Sequence, residues 1–183
     1  MTVVHIGYKY GQNNTGGAAI AATRLHKALL SHGIESHYVC VRQYEEGENV
    51  HVLPRIGSIG RQLYLFAKKG LRGLWKFSHW RKSIPLNIIP LVGLEKLLDK
   101  IRPDVVHVHW INADVMSFKQ LANLKCKVVV NLHDLFMINV MDPHPGTDNR
   151  YIYGVTRKNS SFLEQWLFRR KLRLMRMLNP VYI

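Results

Sequence analysis

Cysteine is scarce in this sequence, with Cys40 and Cys126 the only two. Two thiols cannot build the disulfide framework of a small secreted domain, which points to a reducing compartment. Long apolar runs are missing too: no stretch approaches twenty uninterrupted apolar residues, so no transmembrane helix is expected. The opening residues, Met1 to Gly7, lack a cationic region followed by a long apolar run and do not read as a secretory signal. Internal repeats and low-complexity tracts are absent. What remains is a chain of 183 residues with 47% apolar side chains, enough to bury the core of one domain and too much for disorder. The expected location is the cytoplasm.

Acidic residues are the other shortage, 12 against 26 Lys and Arg, for a formal charge of +14. The excess sits in two places. Between Asn49 and Leu94 there are eight cations and no acid, and between Arg157 and Arg176 seven cations face one acid, Glu164. The rest of the chain is neutral. A neutral body with two basic patches implies an anionic partner: a membrane surface, nucleic acid or a phosphorylated substrate. In Arg61 to Trp80, helical spacing puts Arg61, Lys68, Arg72 and Lys76 on one face and Leu63, Phe66, Leu74 and Phe77 on the other. With Lys69, Trp75 and Trp80, this reads as a cationic amphipathic helix able to lie on an anionic bilayer. The plainer alternative is a packed helix with a solvated basic face, and Gly70 and Gly73 weaken the helix itself. Nucleic acid ranks third, because no recognition-helix or zinc-finger pattern is present.

Along the chain, Val3 to Gly7 reads as a buried strand and Tyr8 to Thr15 as a polar loop. Gly16-Gly17 opens a helix over 18–32, with Ala18, Ala21, Ala22, Leu25, Ala28 and Leu29 as its apolar face. Gly33 stands where a helix needs a left-handed terminator, and Ile34 to Val41 is a second strand. Strand, glycine loop, helix and strand form the opening unit of a doubly wound, Rossmann-like α/β fold with a mainly parallel sheet. A short strand over Asn49 to Leu53, a helix over Leu91 to Ile101, a strand over Val105 to Trp110, a helix over Ser117 to Leu124 and a strand over Val128 to Leu132 continue the alternation. Phe136 to Asn159 reads as a long loop. Ser161 and Glu164 make a capping box for a last helix ending near Leu178. Val181 to Ile183 resemble the start of another strand.

Three constellations carry candidate chemistry. Gly16-Gly17 at a helix start, with Thr15, would let backbone amides approach a phosphate. No Gly-Lys-Ser/Thr follows, so this is not a triphosphate loop. The glycine spacing departs from the dinucleotide fingerprint, and Val41-Arg42-Gln43 offers no acidic ribose ligand, so NAD does not fit. The plainer alternative is a tight strand-to-helix turn without a ligand. In His107-Val108-His109-Trp110-Ile111-Asn112, the two histidines share one side of a strand. Without a nearby carboxylate or cysteine they make a weak metal site, and no metal is expected. One histidine of such a pair packs in the core and the other reaches the strand's C-terminal edge. His133-Asp134 follows the next strand; the imidazole is expected to titrate near neutrality, and the carboxylate to orient it, bind a sugar hydroxyl or cap a turn. All three constellations map to one edge of the expected sheet.

In order and spacing, the set resembles a known family: Gly16-Gly17, then Arg24 to Leu29, then Pro103 to Trp110 with Asn112, then Leu132-His133-Asp134. It is similar to the N-terminal half of bacterial family-four glycosyltransferases of the GT-B architecture, over nearly the whole chain. The resemblance implies two Rossmann-like domains facing a cleft. The donor nucleotide-sugar is held mainly by the C-terminal domain, and the reaction retains anomeric configuration and usually needs no metal. It implies that Thr15, Gly16 and Gly17 face the donor diphosphate. His133 and Asp134 would contact the transferred sugar or the acceptor hydroxyl, and His109, Trp110 and Asn112 would shape the acceptor side. No cofactor is implied, the nucleotide-sugar being substrate. The acceptor would be a cell-surface polysaccharide or a lipid-linked saccharide at the inner membrane face. Residues 1–183 are then one acceptor-side domain, without the donor-binding half and its paired glutamates. The expectation is a chain inert alone, whose partner is that second domain or subunit. Past His133-Asp134, Leu135 to Asp142 depart from the family's aromatic and glycine-rich continuation. The alternative from another class is a non-catalytic basic module that binds anionic membrane or another polyanion.

Overall fold

Short valine-rich segments, each too short for a helix and flanked by turn residues, become the central strands of the protein. A computed structural model describes residues 1–13, 15–54, 62, 63, 66, 87–111, 115–134, 150–178, 181 and 182. The main strands are β1 (Thr2–Ile6), β3 (Glu35–Cys40), β5 (Val50–Val52), β6 (Val105–Val108), β7 (Lys127–Val130) and β8 (Val181–Tyr182). They form one six-stranded sheet in the order β5-β3-β1-β6-β7-β8, and every pairing is parallel. Chain order therefore runs outward from β1 in one direction and outward from β6 in the other. The reversal falls between these two central strands, as in a Rossmann-like doubly wound sheet. A two-residue parallel pair, β2 (Lys9–Tyr10) with β4 (Arg42–Gln43), extends the exits of β1 and β3. The polar loop expected over Tyr8 to Thr15 is thus partly a strand.

The two faces of the sheet differ in kind. One carries Val4, Ile6, Val39, Val106, Val108, Val128 and Val130, packed against Leu91, Leu94, Phe118, Leu121 and Met175. Each such aliphatic side chain contributes on the order of 1.5–3 kcal/mol by leaving water. The residues between them turn to the other face, which carries His5, Ser36, Tyr38, Cys40, His107 and His109, all buried. The helices α2 (Leu94–Ile101), α3 (Phe118–Ala122) and α5 (Phe162–Leu178) contribute to the aliphatic layer.

Helix α1 (Gly17–Ser31) ends as a Schellman motif, with Gly33 N donating to Leu30 O and Ile34 N to Leu29 O, both at 3.0 Å. Gly33 has φ +72, the left-handed region that glycine enters without strain. Its buried face differs from the expected one. Ala21, Leu25 and Ala28 are exposed, whereas Ala22, Thr23 and His26 are buried. The reason is the surface it covers. A layer of phenol and imidazole rings offers hydrogen bonds, so α1 presents polar residues to it. The Thr23 hydroxyl accepts from Gly11 N (3.0 Å), and His26 bonds the Ser36 hydroxyl (2.7 Å) and the Glu48 carbonyl (3.0 Å).

The other strands and helices expected on the described residues form with shifted ends: the strand at His107 stops at Val108, and Ser117 caps α3 by accepting from Gln120 N (3.0 Å). The capping box at Ser161 forms. Ser161 N donates to Glu164 Oε2 (2.7 Å) and Glu164 N to Ser161 Oγ (3.3 Å). Within the expected loop Phe136 to Asn159, Arg150–Tyr153 forms a helical turn, α4. Among the described residues, no helix is long and apolar enough to cross a membrane.

Candidate active site

Five strand and helix ends meet at the carboxyl edge of β1 and β6, where ligands bind in open α/β sheets. They enclose a cavity of about 550 Å³. Gly7, Tyr8 and Lys9 reach it from β1, and Thr15, Gly16, Gly17, Ala18 and Ala19 from the start of α1. Tyr38 closes one wall, while His109 and Trp110 leave β6 and His133 and Asp134 leave β7 to close the other. The structure thus brings together every described residue expected at the cleft. Asn112 lies outside the described residues, as do the expected membrane contacts Arg61, Lys68, Lys69, Arg72, Trp75, Lys76 and Trp80.

The glycine loop is anchored from behind. Thr15 Oγ1 donates to Gly11 O (2.6 Å), and Gly11 N donates to the Thr23 hydroxyl. Gly16 caps α1 with φ +95 and ψ 155 and no side-chain hydrogen bond, and the first turn of α1 holds no acidic residue. A Cβ built on either Gly16 or Gly17 would meet nothing within 4 Å. Their sides therefore open to space at the cavity wall, where the free amides of the first turn form an electropositive end.

Opposite, Trp110 Nε1 donates to Asp134 Oδ2 (2.8 Å), which orients the carboxylate. Behind it, a histidine ladder runs inward. His133 Nε2 and His109 Nδ1 share a hydrogen bond of 3.3 Å, and His109 Nε2 and His5 Nδ1 share one of 3.1 Å. Burial holds His109 down to about 2 and His5 to about 3, and the neighbouring imidazoles push the same way. His133 is also lowered by burial, which the Asp134 charge opposes. Set against the expectation of a group titrating near neutrality, burial moves His133 downward and favours its neutral imidazole, which shares a hydrogen bond with His109.

Both His107 and His109 are buried, at 7% and 4% exposure, and of the two only His109 borders the cavity. Among the contributors that the sequence did not mark are His5, Tyr38 and Gly7. Tyr38 Oη donates to Lys9 O (3.0 Å) and fills the space above Gly7, where a Cβ would come within 2.6 Å of that hydroxyl. A histidine inside an otherwise aliphatic strand was the available signal for His5. Ring nitrogens His5 Nε2 and His107 Nε2 are buried without a hydrogen-bond partner, each at a cost of about 1–3 kcal/mol.

No curated protein matches the chain. Residues 15–178, most of its length and all but the β1 and β2 side of the cavity, match the family model described as Glycosyltransferase Family 4. With that match, the parallel sheet and the cleft at its switch point, the chain belongs to glycosyltransferase family 4.

Proposed function

We propose that this chain is the acceptor-side half of a retaining glycosyltransferase that moves a sugar from a nucleotide-sugar to a cell-surface polysaccharide or lipid-linked acceptor. The observation that carries the reading is the convergence of the open α1 terminus, His109-Trp110 and His133-Asp134 on one cavity. Transfer breaks the bond from the sugar's anomeric carbon to the diphosphate and forms one to the acceptor oxygen, whose proton leaves with the diphosphate. Negative charge grows on the leaving group, and free amides at Gly17 and Ala18 suit it without reorganisation. His133, neutral, and Asp134, held by Trp110, suit the hydroxyls of the sugar and the acceptor.

The nucleotide pocket would come from a donor-binding domain, so the 183-residue chain is expected to release no nucleoside diphosphate from UDP- or GDP-sugars. Turnover by the purified chain overturns that part. With a family-4 donor-binding domain supplied in trans, His133→Ala and Asp134→Asn are each expected to lower kcat by about 100-fold or more. Undiminished activity in both variants overturns the site assignment.

A second reading, peripheral attachment to anionic membrane, is favoured by one surface. On α5, Phe162 and Trp166 are 84% and 51% exposed, and Arg169, Arg173 and Arg176 continue along the exposed side; Tyr153 of α4 is exposed as well. Aromatic rings beside cations suit a headgroup layer. Leu63 and Phe66, from the basic stretch expected to be amphipathic, are exposed as well. Sedimentation with anionic vesicles tests this reading.

A further inference from the structure

The imidazole layer behind the cavity has a property that sugar transfer does not use. Strands β1 and β6 pair in parallel with His5 opposite His107, and His109 follows two residues later on the same face. One ring nitrogen of each lies within 4.8 Å of the others, and all three side chains are buried. We propose that His5, His107 and His109 form a site for a borderline divalent transition-metal ion of the zinc type.

Four observations support it. His107 Nε2 is buried with no hydrogen-bond partner, and a bound cation would satisfy a lone pair that the protein otherwise leaves bare. His5 Nδ1 and His109 Nε2 already stand 3.1 Å apart, close to the roughly 3.3 Å edge of a tetrahedron with Zn–N bonds near 2.05 Å. The donor set is imidazole alone, which selects zinc, copper or nickel over the oxygen-seeking calcium and magnesium. The outer shell is built: His133 bonds the far nitrogen of His109, and Tyr38 stacks on His5 with ring centroids 6.1 Å apart. Three neutral histidines leave a fourth position for water or another ligand. The site lies behind the cavity wall, with His109 bordering both, and does not depend on how the donor diphosphate is bound.

The test is a Zn²⁺ titration of the chelator-stripped full chain against a chromophoric competitor. One tight equivalent is expected, and His5→Gln and His107→Gln should each weaken it by more than the roughly 10–100-fold that loss of an outer partner costs. The half-buried pair His37 and His51, whose ring nitrogens are 3.1 Å apart, is the competing site. His51→Gln should therefore leave the tight equivalent unchanged. No tight equivalent, one that survives His107→Gln, or one lost with His51→Gln overturns the proposal. Should the core variants fail to fold, X-ray absorption on the unaltered zinc-loaded chain decides instead. Three imidazole nitrogens in the first shell support the site; fewer, or a sulfur from Cys40 or Cys126, overturn it.

Discussion

Gly7 is held as glycine by contact. Its missing side chain leaves room for the Tyr38 hydroxyl, which bridges to Lys9 O and forms one cavity wall. Gly7→Ala should push that ring aside and break the bridge, at about 1–3 kcal/mol of stability. Urea denaturation measures it, and a Gly7→Ala, Tyr38→Phe pair should lose less than the two single changes added together. Lys171 is a second strained position. Burial pulls its ammonium down to about 7 from 10.5, against the attraction of Asp134, while the rings of Phe118 and Phe168 lie 6.0 and 5.9 Å away. Between those two values the unfolded chain binds more protons than the folded one, so stability rises with pH. Below about pH 7 the full desolvation cost is present, and it fades as pH climbs toward the ordinary lysine range. The wild type should therefore gain on Lys171→Met across that window, by up to about 1.4 kcal/mol per pH unit. Parallel pH profiles of the two proteins would rule this out. Neither position was legible in the sequence, because Gly7 and Lys171 are defined by neighbours 31 and 37 residues away, Tyr38 and Asp134.

Helix α5 is fixed at its start by more than a cap. Glu164, 3% exposed, accepts from Ser161 N and Oγ through Oε2 and from Arg150 Nη1 through Oε1 (3.0 Å). One carboxylate thus ties α4 to α5. Glu164→Ala should cost about 3–5 kcal/mol, since it breaks a buried ion pair and the capping box together. Glu164→Gln, which keeps a cap acceptor, should cost less, and thermal unfolding of both variants checks the order. The box was readable because its two residues stand three apart, as Gly33 was readable because only its own backbone demands it. The buried face of α1 was not: which side of a helix turns inward depends on what it covers, and here Thr23 and His26 meet a polar layer. The β2–β4 pair escaped notice because two residues carry no periodicity.

The whole molecule joins a neutral body to cationic segments, and α5 carries one of them on its exposed side. Binding to phosphatidylglycerol vesicles is expected, weakening as salt shortens the screening length to about 8 Å near 0.15 M. Arg169→Glu with Arg173→Glu should reduce it several-fold. Salt-independent binding, or a preference for RNA, would point to a different partner. The site edge was legible from strand order alone, because residues just beyond the ends of β6 and β7 must share a rim. His5 was not, since its place opposite His107 is decided by register between strands a hundred residues apart. A sheet with one aliphatic side and one imidazole-phenol side follows two rules of replacement. On the first, alkyl groups of similar volume can trade places, as Leu91 and Leu121 can with isoleucine or methionine after repacking. On the second, His26, Tyr38 and His109 each have an addressed hydrogen-bond partner, so there shape is no substitute for identity, and a replacement must answer the same bond.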